Sequence, residues 1–272
     1  IIDCRQELTR HTSFVSRLWV EEQVRDLPLN PEGKHYLVFT GGPGTGKSAV
    51  MAAMIRSADQ PVYHFIKRYM ADWDNPDRFL LSLMAQLRRK HGVAEPEETA
   101  KLGAAARFLR ALQEVSGSLP AAGHEVVYLD GLDEAFGPRA QRELLPGLLP
   151  GRLPPRTFCV VTSRPPEDLK TVVDSGACET KRLEDDPEVE FHLQTYLSRR
   201  FRDDRLGLAA DAIAAIARRV CPVFLLAQRG CNRLGERLDA DQPVPRSEAE
   251  LWEVFSQSIE EDFGRDWRAL EV

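Results

Sequence analysis

Eight consecutive residues constrain this chain more than any others: Gly41-Gly42-Pro43-Gly44-Thr45-Gly46-Lys47-Ser48. They fit G-x-x-x-x-G-K-[ST], the pattern of a backbone loop that wraps a polyphosphate. The glycines let the main chain pass close to an anion where a Cβ would collide. Successive N–H groups then point inward, and a helix beginning near Lys47 and running through Ala49 adds its positive end. The Lys47 ammonium reaches the β and γ phosphates, and the Ser48 hydroxyl ligates Mg²⁺. Ordinary residue frequencies give such a match in about one chain of this length in a hundred. Here the pattern also has its required context, an apolar run HYLVFT (35–40) before it and a helical pattern to about residue 58 after it. That context disfavours the plainer reading of a glycine-rich turn with no ligand.

Two further runs read as strands that end in polar residues. In VVYLDGLDE (126–134) the apolar stretch stops at Asp130, which places a carboxylate at the C-terminal edge of a sheet. Ligands of open α/β sheets bind along that edge. Asp130 is then placed to hold Mg²⁺ through water, and Asp133 or Glu134 to orient or deprotonate an attacking water. Acidic turns after strands are common, so this motif gains its weight from the glycine-rich loop. In FCVVTSRP (158–165) a strand ends in Arg164, a guanidinium able to contact a γ-phosphate. The plainer alternative is an arginine paired with a nearby carboxylate.

Strand-like runs at 35–40, 61–66, 125–130, 157–162 and 178–183 alternate with helical patterns to about residue 185. The helical patterns fall at 12–27, 47–58, after Asn75-Pro76, at 98–116 and at 139–146. Such alternation predicts an α/β fold, a three-layer α/β/α parallel sheet. Beyond 186 only helical patterns remain (187–202, 208–219, 223–238, 247–263), which predicts a smaller all-helical domain. The expected organisation is an N-terminal helical segment at 1–30, a nucleotide-binding domain at 31–185 and a helical domain at 186–272, the last either ending as such or including the start of a winged-helix region.

Composition narrows the class. Of 272 residues, 43% are hydrophobic and 29% charged, the balance of a globular chain. No window resembles a membrane span or a signal peptide. The net charge of −6 does not indicate a nucleic-acid binder. Residues 199–237 carry nine Arg against four acids, whereas 248–271 carry eight acids. These stretches read either as solvated helix faces or as complementary patches between domains or subunits. Five widely spaced cysteines show no zinc spacing and read as reduced thiols in a cytoplasmic setting, with Cys159 in the core. The chain begins at Ile without a Met, which reads as a fragment.

The three motifs together resemble the NACHT family of signal-transduction ATPases, within the STAND class of P-loop switches. DGLDEA (130–135) is similar to its Walker B motif and TSRP (162–165) to its sensor-1 strand end. FVSRLWVEEQV (14–24) resembles the family's F-V-G-R-E segment near adenine, with Ser16 for Gly and Leu18 for Glu. HFIKRY (64–69), followed by a helix containing AQL (85–87), is also similar. By this resemblance Val15, Arg17 and Pro222 of CPVFLLA (221–227) contact the nucleotide; for Pro222 a helix-initiating role is the alternative. The resemblance implies ATP or ADP with Mg²⁺, slow hydrolysis, and self-association in the ATP state. It also implies effector and sensor domains in the same full-length protein, and signalling in immune or antiviral defence. The family's winged-helix His has no counterpart here, since His192 comes too early.

Two other functions keep the same site. An AAA-type remodelling ATPase would hydrolyse quickly and use an arginine in trans, with Arg139 and Arg142 as candidates. A non-catalytic scaffold would bind nucleotide only to fold. The absence of any Asn-Lys pair removes the N-K-x-D guanine signature.

Overall fold

The computed structural model describes residues 1–10, 15–30, 33–68, 70, 72–135, 149–164, 176–203, 209–240, 245 and 247–263. Arg139, Arg142, the expected helix at 139–146 and Pro165 lie outside them. The chain divides into two compact units. One comprises Ile1–Thr12, Leu18–Thr40 and Lys47–Arg182; the other comprises Ser13–Arg17, Gly41–Gly46 and Leu183–Val272.

The first unit is built on a sheet of β1 (Tyr36–Thr40), β2 (Val62–Phe65), β3 (Glu125–Asp130), β4 (Thr157–Ser163) and β5 (Cys178–Arg182). The strand order is β2-β3-β4-β1-β5 and every pairing is parallel. Every residue of β1 and β4 is buried, as expected of inner strands covered on both faces. Their sequences therefore read as continuous apolar runs. The edge strand β5, CETKR, is polar and partly exposed, which protects an open edge from pairing with other chains.

Helices cover both faces. Tyr36, Val38, Val127, Leu129, Cys159 and Val161 point into one core with residues of α4 (Pro76–His91) and α5 (Ala104–Ser118). The alternate β1 side chains serve the other face, where the Phe39 ring lies 5.9 Å from that of Trp19 in α2 (Leu18–Asp26). There α3 (Lys47–Ser57) packs on β3, β4 and α1 (Arg5–Arg10). Helix α4 is punctuated by its sequence. The Asn75 side chain caps it by accepting from the Arg78 N–H, Pro76 occupies the first turn, and Gly92 ends it at φ 65°.

Two helices begin later than the sequence pattern predicts. Within the 12–27 pattern the described residues 15–17 are not helical and α2 begins at Leu18, directly after Arg17, whose side chain is committed to buried partners. The 98–116 pattern splits into a 3₁₀ turn at Thr99–Lys101 and α5, with Gly103 at the break.

The second unit holds α6 (Val189–Asp203), α7 (Ala210–Val220), α8 (Phe224–Asp239) and α9 (Glu248–Phe263) around a separate apolar core that includes Leu193, Leu197, Ile216, Leu226, Leu251 and Phe255. A Cβ at Gly230 would stand 2.2 Å from the Phe255 ring, so glycine permits the close approach of α8 and α9. The uneven charge noted in the sequence is partly paired inside this unit. Arg219 reaches Glu248 at 2.9 Å and stacks over Trp252, and Arg233 reaches Glu261 at 3.4 Å.

Candidate functional site

The parallel topology brings the carboxyl ends of β2, β3 and β4 to one edge of the first unit. Phe65 stands opposite Asp130, and Leu129 opposite Val161. Asp130 is fully buried there. Its Oδ1 accepts a hydrogen bond from the Thr162 hydroxyl at 2.5 Å, and its Oδ2 accepts one from the Ser48 hydroxyl at 2.7 Å. The Thr162 oxygen also accepts from the Gly131 N–H at 2.9 Å. A buried carboxylate is tolerable only when its oxygens are paired in this way. The predicted Ser48 and Asp130 are thus neighbours, and Thr162 fixes the orientation of the carboxylate. Lys47 is the first residue of α3, and Ala49 lies in the same turn.

The acidic turn after β3 is a 3₁₀ segment, Leu132–Glu134, entered through Gly131 at φ 75°. A Cβ on residue 131 would meet the Ile66 carbonyl oxygen at 2.9 Å, so the turn needs glycine for space as well as conformation. Asp133 and Glu134 are held differently. Asp133 Oδ1 accepts from the Arg164 N–H at 3.0 Å, and the Arg164 side chain lies 3.1 Å from Asp133 Oδ2. Glu134 Oε2 accepts from the Arg68 N–H at 3.0 Å. Arg164 is thus engaged with a carboxylate of its own unit, while its side chain is still 60% exposed.

Sequence reasoning gave no role to Lys67, although it lies within the quoted HFIKRY. The chain leaves β2 and brings its Nζ to 3.4 Å from Ser48 Oγ and 3.7 Å from Asp130 Oδ2. Thr162 was likewise hidden inside a strand-end motif read for its arginine. In neither case does a spacing rule point to the residue; only the strand order brings it to Asp130.

The glycine-rich segment 41–46 belongs to the second unit and is held by it. Arg17, 2% exposed, donates from Nη2 to the Thr45 carbonyl at 2.8 Å and from Nη1 to the Leu183 carbonyl at 3.2 Å. Its Nε lies 3.7 Å from Asp186 Oδ2, and its guanidinium stands 4.9 Å from the centre of the Phe224 ring. Burial pulls the Arg17 guanidinium below its ordinary range, and the Asp186 and Glu184 carboxylates oppose that pull. His192 Nδ1 lies 3.0 Å from the same Asp186 oxygen. The Gly42 N–H donates to the Glu184 carboxylate, and the Thr45 hydroxyl donates to the Gly42 carbonyl at 3.0 Å. Gly44, at φ 79°, accepts from the Leu225 N–H at 3.1 Å, and a Cβ there would lie 2.6 Å from Leu225 Cβ. Gly44 therefore permits the loop's close approach to the start of α8, while at Gly41 a Cβ would fall 2.6 Å from the Thr45 hydroxyl oxygen and Gly46 is needed for its φ of 94°. Pro43 completes the loop. Val15 is buried. Pro222 lies two residues before α8, ahead of its N-cap Val223 and outside its first turn.

The donor set at the sheet edge suits Mg²⁺: a hydroxyl and a carboxylate, both hard oxygen ligands. Among the described residues, no group of three or more His, Cys, Asp or Glu side chains could form a protein-only metal cage. No described helix is long and apolar enough to cross a membrane. The five cysteines form no disulfide with one another, and burial pushes the Cys159 thiol up to about 12.

Comparison with known proteins agrees with this geometry. Residues 15–164 match the family model described as nephrocystin 3, N-terminal. No protein of curated function matches the sequence. Among solved structures, a Walker-type ATPase of Pyrococcus abyssi superposes with a TM-score of 0.56 at 15% identity, over 100% of this chain and 75% of that one. A Drosophila ORC structure bound to DNA gives 0.51 at 18% identity, over 93% of this chain and 66% of that one. A STAND protein with a tetratricopeptide repeat sensor from Pyrococcus horikoshii gives 0.49 at 13% identity, over 90% of this chain and 32% of that one. The first two establish the P-loop ATPase fold.

Proposed function

Because the chain belongs to the nephrocystin 3 N-terminal family and has the P-loop ATPase fold, we propose that it is an ATP/ADP-dependent switch that hydrolyses ATP slowly. The observation that carries this reading is the Ser48–Asp130 hydrogen bond, oriented from behind by Thr162. It joins the last residue of the loop motif to the strand-end carboxylate, the two groups through which such sites hold a nucleotide's metal. Ser48 and Asp130 would hold Mg²⁺, which when bound neutralises charge on the phosphates.

The remaining roles fall to the chain's own groups. The loop Gly41–Gly46 offers backbone N–H donors to the phosphates, apart from Pro43, which has none, and Gly42, whose N–H is engaged by Glu184, and Lys47 contributes an ammonium. Of the two turn acids, Glu134, held at one oxygen by the Arg68 N–H, is assigned to orient a water, while both oxygens of Asp133 face Arg164. Arg164 reports the γ-phosphate by exchanging its carboxylate partner for it. Arg17 acts on the loop through the Thr45 carbonyl, as a positioning residue. We place the domain boundary near residue 185, with self-association in the ATP state and immune or antiviral signalling as the family-like output.

The test is the nucleotide retained on purification and its turnover. Wild-type protein should release near-stoichiometric adenine nucleotide on denaturation, and Lys47→Ala should release almost none. Glu134→Gln should bind ATP yet lower phosphate release by about 10²-fold or more. Phosphate release by Glu134→Gln at the wild-type rate would defeat the hydrolytic part of this reading.

A further inference from the structure

A carboxylate, an ammonium and two hydroxyls meet at the end of β3. Asp130 is fully buried, and one of its oxygens is satisfied by Thr162. The other accepts from the Ser48 hydroxyl and also faces the Lys67 ammonium at 3.7 Å. The same ammonium is 3.4 Å from Ser48 Oγ. Lys67 therefore stands over the very hydroxyl–carboxylate pair that suits a divalent cation. Its side chain is only 21% exposed, so the charge is held in partly desolvated surroundings rather than free in solvent. Position and chemistry agree: a positive charge at this point neutralises a buried carboxylate that would otherwise face the negative phosphates of a nucleotide.

We propose that Lys67 is a resident cation of the site. It substitutes for Mg²⁺ at the Ser48–Asp130 pair, so that a nucleoside diphosphate is held without a divalent ion. A metal ion entering with the nucleotide competes with the ammonium for the Ser48–Asp130 pair, because two cations held at one carboxylate oxygen repel each other at such range. Metal-free ADP and metal-loaded ATP then call on different cations at one pair of oxygens. Lys67 is in this sense a positioning residue whose effect depends on whether the metal is present. The inference rests on the nucleotide-switch reading above.

The experiment measures the affinity of the full chain for a fluorescent ADP analogue in excess EDTA and in millimolar Mg²⁺. It compares wild type, Lys67→Met and Lys67→Arg. Wild type should bind with affinities within about threefold of each other in the two conditions. Lys67→Met should lose about tenfold or more in EDTA, the size of one charge-assisted contact, and stay within about threefold of wild type in Mg²⁺. Lys67→Arg, which keeps the charge, should restore binding in EDTA. A wild-type protein that itself needs Mg²⁺ for ADP overturns the inference without recourse to any variant. So does a Lys67→Met protein that is equally weak in both conditions, which marks a direct phosphate contact or a folding defect, or one that is unchanged in both. Failure of wild type to bind the analogue in either condition refutes the nucleotide reading itself, and is distinct from these.

Discussion

Asp130 shows how a single residue's placement depends on others that carry no motif. An ionised carboxylate removed from water is costly unless its lone pairs are used, and here Thr162 and Ser48 use them. Thr162 does two jobs at once, since its oxygen also accepts from the Gly131 N–H that opens the acidic turn. Thr162→Val keeps the shape and removes both bonds, leaving a buried carboxylate oxygen and a buried N–H without partners. The expected cost is about 2–4 kcal/mol of unfolding free energy, measured by urea denaturation. Thr162→Ser keeps the hydroxyl and should stay within about 1 kcal/mol of wild type. A valine variant as stable as wild type would mean that Asp130 finds other partners. The same logic separates what could be read at this scale from what could not. Lys47, Ser48 and Asp130 announce themselves because their chemistry requires fixed spacing or a strand end. Thr162 and Lys67 act on Asp130 across strands 32 and 63 residues away in sequence, a relation that no local pattern encodes.

At the scale of elements, the sequence was most legible where periodicity and punctuation agreed. Helix α4 has its cap, its first-turn proline and its terminal glycine, and it lies where they put it. Strands β1, β3 and β4 were readable because parallel, doubly covered strands are continuous apolar runs, whereas the edge strand β5, CETKR, offers no such run. The starts of α2 and α5 were not readable either; a buried arginine directly precedes the one and a glycine the other. Strand β2 carries a further consequence. Its His64 is fully buried, stacks on Phe79 of α4 and lies beside the Trp73 carbonyl at 2.9 Å and the Cys4 sulfur at 3.6 Å. Burial pushes His64 below its ordinary value of 6.5, against the opposing pull of the Trp73 carbonyl. The Cys4 thiol, pushed up to about 11, stays protonated throughout the acid range. The unfolded chain thus takes up a proton at His64 before the native one does. Stability should be level above about pH 6.5 and fall below it, by up to about 1.4 kcal/mol per pH unit, until the native group titrates. Urea midpoints between pH 7 and 5.5 should show this decline, and His64→Phe should flatten it. An unchanged slope in the variant would assign the acid sensitivity elsewhere.

For the whole molecule, the sequence conveyed a P-loop fold and a helical remainder, but not which residues join which compact unit. The glycine-rich segment and Arg17 group with the helices rather than with the sheet, because their hydrogen bonds run to Leu183, Asp186, Glu184 and Leu225. The switch proposed above would be driven by what distinguishes ATP from ADP. Moving a two-state equilibrium from about 1:99 to 99:1 needs about 5.5 kcal/mol of differential binding. A charge-assisted hydrogen bond supplies about 1.5–3 kcal/mol, so on the proposed reading the γ-phosphate must recruit two to four such contacts. Lys47 is one. Arg164 is the second, and it must first leave Asp133, to which it is now paired at 3.1 Å. Its largely exposed side chain makes that exchange inexpensive, since a surface ion pair of this kind is worth about 0–1 kcal/mol. Light scattering should then find Glu134→Gln assembled in ATP and of monomer mass in ADP. Adding Arg164→Ala should return the ATP form toward the monomer while leaving ADP binding within about threefold of wild type. Equal mass in both nucleotides would show that the γ-phosphate is read by hydrolysis alone, as in an enzyme that performs work with each turnover.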